Sequence, residues 1–352
     1  MPDAPLPDPA ELKPAVDISR RILDQLDRLL LGRTDLHRLT LIGILSRGHI
    51  LLEGLPGLGK TALVKGLGDI LGLGFNRVQF TPDLMPGDIL GAHILQERGD
   101  GAREFVFQPG PIFTNLLLAD EINRASPKTQ SALLEAMQER HVTLMGSTRP
   151  LPEPFFVLAS QNPIELEGTY PLPEAQLDRF LFKLRVQGVD VEVLDSIVST
   201  RRRGEPPRPD WTLLPGDMDT LYMAMDSIVL SRPVSRYVAR LVAATHPGAP
   251  EATVNVTSYV TYGASPRAAI ALAEAGRGQA LIEGRPTVSF QDVQTVAPAV
   301  LNHRILLSYQ AKFDGVDSYA VIDELIRSLD PAELGLPGSV TVEPQREEST
   351  PS

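Results

Sequence analysis

Apolar positions along the chain repeat with two different periods, and the change from one to the other outlines the architecture. Ile18, Ile22, Leu23, Leu26, Leu29 and Leu30 recur at helical spacing, and a second helix is expected over Asp35–Ser46. The run His49-Ile50-Leu51-Leu52 is short and apolar and is followed by glycines, which reads as a buried strand. A helix over Ala62–Leu67 comes next, then strands at Asn76–Phe80, Asn115–Ala119 and Phe155–Ser160. Short apolar strands alternating with helices predict an α/β protein with a parallel sheet.

Two excursions interrupt that alternation. In Thr81–Gly91, prolines and glycines bar a long regular helix. Ala92–Gln96 and Glu104–Gln108 then flank a charged turn, the pattern of a hairpin. Ser126-Pro127 opens a helix whose inner positions are Ala132, Leu133, Ala136 and Met137. A second hairpin is expected where His141–Leu144 and Arg149–Leu151 flank Met145–Thr148.

Beyond a helix starting at Asp190, the basic, proline-rich stretch Arg201–Pro209 marks a boundary and reads as a solvated linker. Helical patterns follow at 218–229, 234–245, 266–282, 290–301 and 318–329, with Ser289–Asp292 as a helix start. The expected division is a flexible arm at 1–14, an α/β domain at 15–205, a small all-α lid at 206–330 and a disordered tail at 331–352.

Composition narrows the function. The 352 residues are 43% hydrophobic and carry a net charge of −11, so no global basic field favours nucleic acid or an anionic membrane. With no cysteine there is no disulfide, thiolate metal site or cysteine nucleophile. No stretch of about eighteen apolar residues occurs, and no charged segment followed by an apolar core opens the chain. A cytoplasmic protein without membrane insertion is expected.

The chemistry starts at Gly54-Leu55-Pro56-Gly57-Leu58-Gly59-Lys60-Thr61, which matches G-x-x-x-x-G-K-[ST] between a strand and a helix. Backbone N–H groups and a helix N-terminus make a concave anion site, and glycines let the backbone wrap closely round phosphate. Gly54, Pro56, Gly57, Leu58, Gly59, Lys60, Thr61 and Ala62 are therefore the expected nucleotide-phosphate-binding segment, and the motif leaves open which nucleotide it takes. Lys60 would supply charge to the β/γ-phosphates and Thr61 a hydroxyl for Mg²⁺. Asp120-Glu121 ends an apolar strand, where ligands of parallel sheets sit. Asp120 is placed to hold Mg²⁺ with Thr61, and Glu121 to polarise the attacking water. That second acid argues for ATP rather than GTP. Asn162 ends the next core strand where it could reach a γ-phosphate, although Asn-Pro alone is more often just a turn. The turn at Gly32 is either an adenine grip or a plain helix–helix turn.

Asp120–Ala125, Gln130–Met137, Gln161-Asn162-Pro163, Glu167–Phe180 and Gly263-Ala264-Ser265-Pro266-Arg267 together resemble the MoxR branch of the AAA+ ATPases, over Ile18–Leu329. The resemblance implies a P-loop AAA+ core with a helical lid, intact Walker A and Walker B positions, and a hexameric ring or spiral with ATP between subunits. Asn162 then resembles sensor 1, Arg267 sensor 2 of the lid, and Arg179 the arginine finger reaching a neighbour's γ-phosphate. From the residues alone, Arg179 equally suits an ion pair with Asp178 or Glu174, and Arg267 a helix start behind Ser265-Pro266. Arg124 is a further candidate to cross the interface. The two hairpins resemble the helix-two insert and the pre-sensor hairpin.

MoxR relatives act with von Willebrand factor A-domain proteins in assembling complexes or maturing metal-cofactor enzymes. This sequence contains no such domain, so a separate partner is implied. Two other classes compete: a nucleic-acid motor, against which the acidic balance weighs, and a low-turnover ATP-gated scaffold, against which the complete set Asp120, Glu121, Asn162 and Arg179 weighs.

Overall fold

The computed structural model describes residues 7–97, 103–163, 168–201 and 207–331. The expected disordered tail, apart from Pro331, falls outside these residues, as do the tip of the first hairpin and most of the basic stretch near 201–209.

Helix α1 (Pro9–Leu29) begins inside the stretch expected to be a flexible arm. Pro9 takes the first helical position, where its missing N–H is no loss, and the Asp8 carboxylate caps Ala10 N–H. Pro14 removes one further helical bond, but Leu12, Ala15 and Val16 around it are buried, and that burial sustains the helix. The next elements are α2 (Thr34–Leu45), β1 (Ile50–Glu53), α3 (Lys60–Leu71) and β2 (Phe75–Gln79). A five-residue α4 (Pro86–Leu90) leads into the antiparallel hairpin of β3 (Gly91–Glu97) and β4 (Arg103–Pro109). After β5 (Leu116–Asp120), a 3₁₀ turn at Ile122–Arg124 precedes α5 (Pro127–Glu139), which Ser126 caps. The second hairpin, β6 (His141–Leu144) and β7 (Ser147–Pro150), turns on Met145 and Gly146 alone, both left-handed as a two-residue hairpin turn requires. The α/β part closes with β8 (Phe156–Gln161), α6 (Glu174–Leu177), β9 (Phe182–Arg185) and α7 (Val191–Thr200).

The central sheet runs in the order β2-β5-β8-β1-β9 with every pair parallel. Its carboxyl ends therefore lie along one rim, with β5, β8 and β1 adjacent in the middle. One apolar cluster covers the face bearing Leu52, Leu118 and Leu158 and continues through α1–α3 into the C-terminal helices. A second cluster around Phe80, Leu117, Val157 and Phe180 covers the opposite face.

The C-terminal part holds α8 (Asp217–Ser227), α9 (Arg232–Ala244), α10 (Val254–Tyr259), β10 (Val260–Tyr262), α11 (Pro266–Ile282), α12 (Phe290–Leu301), β11 (Leu306–Leu307), α13 (Tyr309–Phe313) and α14 (Ser318–Ser328). It is helical as expected, with β10 and β11 adding one short antiparallel ladder. Ser289 and Asp292 form a reciprocal capping box at the start of α12. No described helix is long and apolar enough to cross a membrane.

His49 ties the amino ends of two strands together and makes the fold sensitive to acid. Its Nδ1 accepts Val157 N–H at 3.0 Å and its Nε2 faces Met137 O at 3.1 Å, so the ring is neutral with the proton on Nε2. Burial pushes its pKa down to about 4. A histidine with a folded pKa below its unfolded value is protonated first in the unfolded chain, so stability falls as pH drops from about 6.5 towards 4. By pH 4.5 this single group should cost about 2–3 kcal/mol. His37 and His303, also lowered by burial, add in the same direction. Denaturant unfolding at pH 7 and 4.5 checks this; His49→Gln should show a shallower loss, and an unchanged slope would place the acid sensitivity elsewhere.

Candidate nucleotide site

The strand β1 ends at Glu53, and the chain turns through 54–59 into α3. Gly57 and Gly59 have φ of +79° and +82°, the left-handed region, where any other residue would cost roughly 1–2 kcal/mol. A Cβ on Gly57 would meet nothing within 4 Å, so the loop is open above it. Gly54 is glycine for another reason: a Cβ there would lie 2.5 Å from the carbonyl oxygen of Val186, just beyond β9. The pressure at Gly54 comes from the fold itself, not from phosphate alone as the motif suggests.

No side chain caps the N-terminus of α3, whose N-cap is Gly59. The first-turn N–H groups and the positive end of the helix dipole are thus left for an anion. Lys60 is buried and donates from Nζ to the carbonyls of Gly54 and Leu55. Burial lowers its pKa, opposed by the charges of Asp120 and Glu121.

Those two carboxylates end β5, and their neighbours hold them in different ways. Asp120 Oδ1 accepts from Ser160 Oγ at 2.5 Å, while Oδ2 takes Nη2 and Nε of Arg77 at 2.7 and 3.1 Å. Glu121 has φ +56°, a left-handed conformation for a non-glycine, which turns its side chain away from the strand direction. Its N–H donates to Ser160 Oγ at 3.0 Å, and its Oε2 accepts from Gln79 Nε2 at 2.6 Å and Arg124 Nη1 at 2.9 Å. Ser160 therefore fixes the Asp120 side chain and the Glu121 backbone together. Asn162 is buried immediately after β8. The phosphate loop, Asp120-Glu121 and Asn162 thus stand at the carboxyl ends of three adjacent strands.

The two arginines singled out in the sequence are engaged elsewhere. Arg179 Nη1 donates to the Leu134 carbonyl on α5 at 2.7 Å, not to Asp178 or Glu174. Arg267, in the first turn of α11, lies 3.6 Å from Asp178 Oδ2, and Ser265 Oγ accepts from its N–H. Arg124 faces Glu121 within the same chain. At the Gly32 turn, with φ +73°, Val193 of α7 packs 2.6 Å from where a Cβ would stand, so α7 closes over the turn.

Sequence reasoning passed over Ser160, Gln79 and Arg77. A fully buried hydroxyl inside the strand Phe156–Gln161, after four apolar residues, is a signal for Ser160. Gln79 and Arg77 become meaningful only once β2 pairs in register with β5, Gln79 opposite Asp120.

The profile of the ATPase family associated with various cellular activities (AAA) matches residues 49–182, and that of the AAA lid domain matches 253–325. The chain is 43% identical over 331 residues to Chaperone MoxR1 of Mycobacterium tuberculosis, covering 94% of this chain and 85% of that protein. It is 31% identical to Protein MoxR of Methylorubrum extorquens, covering 83% of this chain and 88% of the relative. A crystal structure from Cytophaga hutchinsonii, of a protein assigned as an ATPase, superposes with a TM-score of 0.82 at 38% identity, covering 91% of this chain and 97% of that one. With a parallel sheet, a helical lid and relatives 43% and 31% identical over most of their length, the chain belongs to the MoxR family of AAA+ ATPases.

Proposed function

We propose that the protein is a Mg²⁺-dependent ATP hydrolase that uses nucleotide turnover to remodel, assemble or mature a protein partner. One observation carries the reading: the α3 N-terminus lacks a side-chain cap and opens beside Asp120 and Glu121, both already oriented through Ser160. An anion fits there because the space above Gly57 is empty and the first-turn N–H groups are uncapped. A hydroxyl and a carboxylate, from Thr61 and Asp120, are hard oxygen donors suited to Mg²⁺. Among the described residues no group of three or more His, Cys, Asp or Glu is built to hold a metal unaided, so phosphate and water would complete the shell.

In this reading the backbone of Gly54, Pro56, Gly57, Leu58, Gly59 and Ala62 wraps the phosphates, Lys60 leaves the loop carbonyls for the β/γ-phosphates, and the Gly32 turn borders the base. Glu121 accepts the proton of the attacking water, Asn162 orients that water or the γ-phosphate, and Arg267 brings the lid onto the nucleotide. Arg179 serves a neighbouring subunit, which makes the active form a homo-oligomer, a hexameric ring or spiral. When bound, Mg²⁺ would be held by Thr61 and Asp120 and would supply positive charge to the phosphate oxygens.

The relative's name, Chaperone MoxR1, supports a protein as the client. We place the reaction in the cytoplasm with a separate von Willebrand factor A-domain protein as the partner. Phosphate release measured with and without Mg²⁺ tests the core of the proposal. Lys60→Ala should weaken nucleotide binding about 10- to 100-fold, as loss of a charge-assisted contact does. No Mg²⁺-dependent release by the wild type, or full binding by Lys60→Ala, would overturn it.

A further inference from the structure

The turn that carries Arg179 is gripped by the lid. Past the end of α12, Asn302 Nδ2 donates to Lys183 O at 3.0 Å and His303 Nε2 to Phe180 O at 3.1 Å. Arg304 does most of the holding. Its Nε donates to Asp178 Oδ1 at 2.8 Å, one terminal nitrogen donates to the carbonyls of Leu181 and Val300, and the other to those of Asp178 and Phe180. A guanidinium has five N–H donors in a fixed fork, and here each has an acceptor. Four of the five acceptors belong to residues 178, 180 and 181, on either side of Arg179. The Arg304 side chain is only 3% exposed; burial lowers its pKa and Asp178 opposes the shift. A planar fork saturated in this way defines the path of a turn as a flexible ammonium cannot.

The same carboxylate faces a second lid element. Asp178 Oδ2 accepts from Ser265 Oγ at 3.0 Å and lies 3.6 Å from Arg267 Nη1, both at the start of α11. Asp178 is thus shared between the buried Arg304 and the more exposed Arg267, while the next residue along the chain is Arg179.

We propose that Arg304 is a positioning residue for Arg179, and that through Arg304 and Asp178 the lid of each subunit sets the arginine it offers to its neighbour. The inference rests on the reading of Arg179 as a residue acting in trans. It adds a direction of control: when Arg267 is drawn to nucleotide in its own subunit, Asp178 loses one of two cations, and the turn bearing Arg179 re-settles against the lid. Occupancy of one site then biases the next through two competing ion pairs on one carboxylate.

The test uses full-length chains in a donor–acceptor mixture. The acceptor is Arg179→Ala, with an intact nucleotide site and no arginine to offer. The parent donor is Lys60→Ala, with Arg179 intact and its own nucleotide binding weakened, assayed at an ATP concentration that fills only intact sites. Arg304→Lys or Asp178→Asn is then added to the donor, and ATP turnover of the mixture is read beside co-assembly by light scattering. The Arg304→Lys donor should lower the restored turnover at least tenfold while still co-assembling. Arg304→Lys in the otherwise wild-type chain should bind a fluorescent ATP analogue within about twofold of wild type. Asp178→Asn, which keeps the shape of the turn, should lower the restored turnover by a smaller factor, and it decides the matter if Arg304→Lys does not assemble. Parental levels of restored turnover from an assembled Arg304→Lys donor, or from Asp178→Asn in its place, overturn the positioning role alone. No restoration by the parent donor removes the trans reading of Arg179, and this inference with it.

Discussion

Glu121→Gln should bind ATP and barely hydrolyse it, with turnover reduced by about 10²- to 10⁴-fold, the range for loss of a general base. The side chain is held by Gln79 Nε2 and Arg124 Nη1, both donating to Oε2. An amide of the same shape keeps an oxygen for one of them but has no basicity, and Arg124 loses its ionic partner. The scaffold should survive, because the Glu121 N–H to Ser160 Oγ bond and the left-handed backbone do not depend on the carboxylate. ATP held without turnover should also stabilise the oligomer. Single-turnover phosphate release, nucleotide-binding fluorescence and light scattering read the three effects separately. Hydrolysis near the wild-type rate would falsify the assignment of Glu121 as the base.

Arg179→Ala should be as inactive for a different reason. A guanidinium that stabilises charge on the transferred phosphoryl group is worth ~10³–10⁵ in rate. In the isolated chain Arg179 donates to the Leu134 carbonyl within α5, so truncation costs the fold about one hydrogen bond, roughly 1 kcal/mol. Loss of turnover with a melting temperature lowered by only a few degrees and unchanged nucleotide affinity would therefore report chemistry rather than misfolding. Activity within a few-fold of wild type would remove Arg179 from the reaction.

Much of the fold was legible in the chain because parallel strands and their helices leave strong local signals. The runs 50–52, 116–119 and 156–159 mark the sheet, and Ser126, Ser265 and Ser289 mark helix starts at Pro127, Pro266 and Phe290. The start of α1 was hidden because prolines at 9 and 14 advertise a break, whereas the Asp8 cap and buried Leu12 and Ala15 outweigh them. The short α10, α13 and the β10–β11 ladder carry too few residues to show a period.

At the candidate site, the glycine-rich loop 54–59 and Asp120-Glu121 stand out as contiguous motifs. Ser160, Gln79 and Arg77 act through strand register, and Arg304 acts across 126 residues of sequence on Asp178, a relation that no local pattern encodes. Gly54 shows the reverse case, a motif residue whose need for glycine is set by Val186 across the sheet.

The central claim is that each ATP site is completed by an arginine from the next subunit. Its most direct measurement is ATP turnover in a titration of Arg179→Ala with Lys60→Ala at constant total subunit concentration, co-assembly being followed in parallel. Shared sites give a humped profile, with neither pure protein active and turnover highest near equal proportions. A flat, inactive baseline across co-assembled mixtures would contradict it.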